Sequence, residues 1–274
     1  TYKQQREEAS FSAFAVSQFM MIAFCFIPAS YAMFVVKERE VKAKHQQIIS
    51  GVSIPAYWAS TFTWDAVSYL FPLGIVMILI AAFDVKAYLE GEGGAAAFLI
   101  IFMYGPSTAA FTYMISFLFK SHSTAQNIVM FFNFITGLCL MVVSFVLSII
   151  PSTTAIAYDL RFLFRFFPAF CLGDGLMQLA LCQDGDCLKL TPDGHSYDVV
   201  GPLHWDVATG DIVFMAIGAV LYLGIVFLIE YLLSFPKILA WLQYTQDPGY
   251  KDEVEDDDVA AERARVARGE AVGE

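Results

Sequence analysis

Charge is what this chain has least of. Only 16% of its 274 residues are Asp, Glu, Lys or Arg, against about 25% in soluble domains. With 58% apolar residues and a mean hydropathy of +0.59, that scarcity excludes a soluble enzyme with a greasy core. No G-x-x-x-x-G-K-[ST] phosphate loop occurs, so no ATP binds by that route on this chain. Neither H-E-x-x-H nor G-x-S-x-G is present. No basic patch with interleaved aromatics lies outside the apolar runs, so no nucleic-acid partner is expected. No metal or cofactor is expected on the chain itself.

Long apolar runs are what it has in abundance. Five stand out, at about 11–36, 57–83, 95–119, 126–150 and 211–234. Each approaches or exceeds the roughly 20 residues that cross a bilayer as a helix, and backbone satisfaction in lipid leaves helices or closed barrels. The expected fold is an all-α polytopic membrane protein with five transmembrane helices across 11–234.

The junction of the first two runs sets the orientation. Lys37, Arg39, Lys42 and Lys44 crowd into a short stretch with Glu38, Glu40 and His45. Short loops rich in Lys/Arg stay cytoplasmic, so 37–56 is expected inside. Alternation then puts 84–94 and 151–210 outside, and the loop holding Lys120 and His122 inside. Residues 1–10 read as the end of an extracytoplasmic region. Residues 235–274, with the acidic run Asp252 to Asp258, read as a cytoplasmic linker. The start at Thr1, without an initiator Met or a signal-peptide pattern, reads as a piece of a longer protein that has lost one helix upstream.

The outer region has its own organisation. Residues 162–173 are too apolar for water and too short and charged to span, which suggests a re-entrant helical hairpin. Pro168 interrupts the run, and Gly173-Asp174-Gly175 supplies a turn. Arg161 and Arg165 share a helix face at i and i+4. They read first as anchors snorkelling to the interface, and second as contacts for lipid phosphate.

Other ionisable and sulfur residues carry paired readings. Asp65, two turns into the second run, pairs with a base of the 37–45 block or sits hydrated at the interface. Glu230 reads as an interface residue near the end of the last run. Cys25 and Cys139 are packing residues. Cys182 and Cys187 flank a four-residue loop where a disulfide and two thiols are equally open, and zinc lacks a second ligand pair. His204 and Asp206 suggest an acid–base pair of a membrane acyltransferase, against the plainer reading of a polar entry to the last span beside an interfacial Trp.

Several ordered stretches carry a resemblance. They are Ile27-Pro28-Ala29-Ser30, Glu38-Arg39, Lys42-Ala43-Lys44-His45, Ile49-Ser50-Gly51-Val52, Tyr57-Trp58 and Trp64-Asp65. Phe167-Pro168, Phe170-Cys171-Leu172-Gly173, Pro202-Leu203 and Trp205-Asp206 follow, then the tail from Glu255. Together they resemble the second transmembrane domain of the subfamily A ABC transporters. His204 and the Cys182–Cys187 loop depart from that pattern. The resemblance implies a type II exporter-like half that forms part of a lipid path, in the plasma or an endolysosomal membrane. Its partners would be membrane lipids, a first transmembrane domain and nucleotide-binding domains holding ATP and Mg. A coupling helix would lie within 37–56, from Glu38 to Ile49, and the outer re-entrant helices within 151–210. The rivals are another ABC exporter family with a non-lipid substrate and the acyltransferase-like enzyme.

Overall fold

The structure, a computed structural model, describes residues 17–89, 91–150, 153–182, 187–190 and 197–233. The expectations for residues 1–10 and for the acidic segment 235–274 lie outside these. The chain divides into two units, Thr1–Leu228 and Ile229–Glu274. Of the second, only the closing turns of the last helix are described.

Among the described residues, five helices are long and apolar enough to cross a membrane. We label them α1 (Ser17–Glu40), α3 (Ile54–Ala82), α4 (Gly91–Ser116), α5 (His122–Ile149) and α8 (Gly210–Leu233). Shorter elements are α2 (Ala43–Ile49), α6 (Thr154–Phe164) and α7 (Pro168–Ala180). A 3-10 turn, Lys86–Tyr88, precedes α4. A two-stranded antiparallel ribbon pairs β1 (Cys187–Leu190) with β2 (Tyr197–Val200), Cys187 opposite Val200. It is a small addition to the all-α expectation.

Local chemistry sets the helix limits. α1 runs on through Glu40, because Lys37, Glu38, Arg39 and Glu40 are good helix formers. It stops where Lys42 takes a left-handed conformation, φ 59°. The expected single helix from Glu38 to Ile49 is therefore two, broken at Val41–Lys42. α2 in turn ends at Gly51, φ +99°, a value that favours glycine. α3 starts earlier than its apolar run: the Ser53 side chain accepts from the Ala56 amide at 3.4 Å, and Pro55 sits in the first turn, where a missing N–H costs nothing. Pro72 and Pro106 lie inside α3 and α4, a placement that membrane helices tolerate because neighbours serve the freed carbonyls.

α4 is the hub. Ala96, Ala97, Ile100, Ile101, Tyr104 and Ala110 are all buried, and α1, α3 and α7 pack around it. Gly105 allows the closest approach: a Cβ there would fall within the Tyr69 ring. The Tyr69 hydroxyl donates to the Ile101 carbonyl at 2.6 Å, and Phe24, Tyr69 and Tyr104 form one aromatic cluster.

α7 corrects the expected Gly173-Asp174-Gly175 turn, since all three residues lie mid-helix. Packing explains it. A Cβ on Gly173 would press on the Met141 and Met21 sulfurs and one on Gly175 on Ile100, so these glycines let α7 sink against α4 and α5. Pro168 does start a new helix, occupying its first turn.

α6 is built with its polarity reversed. Ala157, Arg161 and Arg165, four apart, form its buried face, while Ile156, Phe162, Leu163 and Phe166 point outward.

Candidate functional site

Two clusters of polar side chains lie at opposite ends of the bundle. The first fixes the basic junction. Arg39 donates to the backbone carbonyls of Ser116 and, at 3.4 Å, Phe119, and its guanidinium stands 5.1 Å from the Phe117 ring centroid. Glu38 accepts from the Tyr57 hydroxyl at 2.8 Å. Glu40 accepts the His122 amide at 2.9 Å and meets its Nδ1 at 2.7 Å. The Lys44 ammonium sits over Trp58 at 4.6 Å and Tyr57 at 4.8 Å. Each arrangement exploits the attraction of a cation for a ring face or of a charge for a fixed dipole. Four ties thus join the end of α1 and the start of α2 to α3 and to the α4–α5 turn. Val41, Lys42, His45, Ile49 and Val52 remain on the surface.

Asp65 lies one layer deeper, 7% exposed. Its described hydrogen bond is not to the basic block. The Tyr113 hydroxyl donates to its carboxylate, and the Tyr31 hydroxyl donates to its backbone carbonyl at 3.3 Å. A phenol reaches from the adjacent helix where a lysine stem from the loop would have to enter the bundle. The expected base pairing is corrected accordingly. Glu230, in the last turns of α8, is 9% exposed.

The second cluster overturns the expectation for Arg161 and Arg165. Neither snorkels nor faces lipid: they are 7% and 5% exposed. Arg161 Nε donates to Asp174 at 2.5 Å and its Nη1 to the Asp206 carbonyl at 2.7 Å. Arg165 Nε donates to Asp211 at 2.9 Å, and its Nη2 to the Trp205 carbonyl at 3.5 Å. Asp174 and Asp211 are 1% and 0% exposed. Two guanidiniums against two carboxylates balance in charge, as burial demands. Burial disfavours the Arg161 charge, but Asp174 and Asp211 outweigh it and raise its affinity for the proton above the ordinary value.

The backbone carbonyls in this network belong to a π-helical turn, Trp205–Thr209, at the head of α8. His204 caps it, its Nδ1 accepting the Asp206 amide at 3.3 Å, and the two side chains approach only to 3.9 Å. Of the pair suspected of acid–base chemistry, the His204 side chain thus serves the backbone. Among the described residues no group of His, Cys, Asp and Glu could hold a metal. Cys182 and Cys187 form a disulfide that closes the chain between α7 and β1.

Asp174 and Asp211 went unread in the sequence. Asp211 did carry a signal, being an acid at the edge of an apolar run. Asp174 was hidden by its two glycines.

The chain was compared with known proteins. Residues 1–228 match the ABC-2 family transporter protein family. The bovine "Retinal-specific phospholipid-transporting ATPase ABCA4" is 34% identical over 91% of this chain. The human "Phospholipid-transporting ATPase ABCA7" is 30% identical over 99%, and the human "ATP-binding cassette sub-family A member 2" 31% over 93%. The chain spans only about a tenth of these relatives, 11%, 13% and 10% of their lengths. The resemblance to subfamily A agrees with all three. With five apolar helices and a match over most of its length, this chain belongs to the ABC-2 family of transporter membrane proteins and is an integral, multi-pass membrane protein.

Proposed function

We propose that this chain is the transmembrane half of an ATP-driven lipid transporter of subfamily A. It forms part of the lipid path and receives motion from nucleotide-binding domains that hold ATP and Mg. Relatives named as phospholipid-transporting ATPases support the substrate class. In this reading the basic junction is cytoplasmic, and the region from 151 to 210 is extracytoplasmic with α6 and α7 re-entering the outer leaflet.

The observation that carries the reading is the anchoring of the junction. Glu38, Arg39, Glu40 and Lys44 are tied to three different helices or their connections, while Val41, Ile49 and Val52 are left outward. Such a tip passes a push from a docked domain into α1, α3 and α4 together instead of bending alone. Apolar side chains exposed on a charged tip suit a protein partner.

The test replaces Ile49 and Val52 by Ser in the protein expressed with its full natural flanking sequence, in lipid vesicles. ATP binding should persist while ATP-dependent phospholipid movement falls severalfold. Undiminished movement would place the contact elsewhere. Lipid movement that needs no ATP would remove the transporter reading altogether. Labelling of sealed cells with an impermeant thiol reagent tests the sidedness: Asp186→Cys should react and Lys42→Cys should be protected.

A further inference from the structure

Between residues 201 and 211 the backbone does something that neither the transport reading nor membrane insertion requires. The head of α8 is wound wide. The His204 carbonyl faces three amides in succession, those of Val207 at 3.0 Å, Ala208 at 3.2 Å and Thr209 at 3.2 Å. A π turn of this kind holds one residue more than the α-helix around it, and is met mostly as a single turn at working sites. The next two carbonyls, of Trp205 and Asp206, are served by Arg165 Nη2 and Arg161 Nη1. Arg165 also grips Asp211, two residues beyond the wide turn, through its Nε at 2.9 Å. The Arg161 Nη2 stands 3.5 Å from that carboxylate but makes no hydrogen bond among the described residues.

Room has been left for this grip. A Cβ on Gly210 would meet the Arg165 guanidinium carbon at 2.6 Å and the Trp205 oxygen at 2.5 Å. Glycine at 210 is what lets a guanidinium lie across the turn. Both ends of the wide turn are therefore held from outside the helix by Arg161 of α6 and by Arg165 just beyond its end, and Asp174 of α7 holds Arg161 in turn at 2.5 Å.

We propose that Arg161 and Arg165 form a latch that keeps the head of the last span in its wide form, and that withdrawing them tightens the turn to α-helix. Tightening by one residue rotates everything before it by roughly 100° and draws it along the axis by about 1.5 Å. The segment from Gly201 to Trp205 would turn with it, exchanging the side chains it presents to solvent. Movement of the α6–α7 hairpin relative to α8 is thereby converted into rotation of the entry to the last span.

Cysteine reactivity reads the register directly. On a Cys139→Ser background, single cysteines at Leu203, Trp205, Val207 and Ala208 are exposed to a small polar maleimide, in the full-length protein in membranes. Leu203 and Trp205 are exposed, and Val207 and Ala208 buried. The first two positions should react and the last two resist. With Arg161→Gln and Arg165→Gln together, each residue ahead of the turn should take its predecessor's place: Val207→Cys should gain reactivity severalfold, and Leu203→Cys, moved to the buried place of Pro202, should lose it. Arg165→Lys keeps the charge but not the second donor arm, and should show a mixture of both patterns. Deleting Ala208 from the paired Gln variant removes the residue that tightening displaces and should return the original pattern, and Arg165→Lys carries the test even if the paired variant fails to accumulate. An unshifted pattern in the paired Gln variant or in Arg165→Lys, or a slipped pattern that the deletion fails to return, overturns the latch. So does recovery of the original pattern by Arg165→Met with Asp211→Asn, which would mean that charge balance alone matters.

Discussion

The ammonium of Lys44 stands 4.6 Å from the centroid of the Trp58 indole and 4.8 Å from that of the Tyr57 ring. Only 9% of Lys44 is exposed. A cation in this position is held by ring faces at the start of α3 and closes the turn between α2 and α3 from within. Lys44→Met keeps the stem and removes the charge. It is expected to cost about 0.5–2 kcal/mol, read as a lower Tm of the purified protein in detergent, while Lys44→Arg keeps most of the stability. Equal Tm for Met and Lys would show that the stem alone packs there.

Breaking the charged network on one side should be worse than removing it. Asp174→Asn leaves Arg161 buried beside a neutral amide and is expected to destabilise the fold by about 3–5 kcal/mol. Arg161→Met combined with Asp174→Leu exchanges the pair for apolar packing and should recover a good part of that loss. Thermal unfolding of the single and double variants, compared in the same detergent, decides it. A double variant less stable than Asp174→Asn would mean that the carbonyl bond from Arg161 to Asp206 matters more than the ion pair.

Gly105 should tolerate nothing larger while Tyr69 is present. Gly105→Ala drives a methyl into the Tyr69 ring, and overpacking of this kind costs typically about 1–3 kcal/mol. Tyr69→Leu on the same background frees the space. The expected order of Tm is natural protein first, the double variant next and Gly105→Ala last. Gly105→Ala with an unchanged Tm would show that α3 and α4 can separate without penalty.

The cysteines make a simple chemical count. Cys182 and Cys187 are bridged, Cys25 and Cys171 are buried, and Cys139 is exposed. Alkylation of the denatured protein without reductant should add three labels, at Cys25, Cys139 and Cys171. Reduction should add two more, at Cys182 and Cys187. Closing so short a loop removes chain entropy worth about 2 kcal/mol, so Cys182→Ser should lower the Tm modestly. Labelling of Cys182 before reduction would rule out the bridge.

The five spans were legible because length and hydropathy act locally: about 20 apolar residues in a row make a helix whatever else surrounds them. The junction was legible too, through its crowded bases. The charged network was only half legible. Arg161 and Arg165 at i and i+4 announce a shared face, but their partners lie 13 and 46 residues away, and no spacing rule links residues on different helices. Asp65 failed for a similar reason, since a tyrosine 48 residues later supplies its hydrogen bond. Gly173 and Gly175 misled because a glycine in a packed membrane helix serves close approach, whereas the same letters in water spell a turn.

The reversed polarity of α6 bears on how the protein is handled. Its hydrophobic stripe is the outward one, with Phe162 at 63% and Leu163 at 62% exposed, and ring contacts continue that surface from Phe162 onto Phe214 of α8. An engineer who trims exposed apolar residues to gain solubility would begin with these, and would strip the side of the helix that detergent or bilayer must cover. The changes would touch no buried contact of Arg161 or Arg165, yet water would gain access to the rim of a cluster whose strength depends on a low dielectric. Extraction in a detergent too small to cover this shelf should loosen the charged network first and leave the hub around α4 intact.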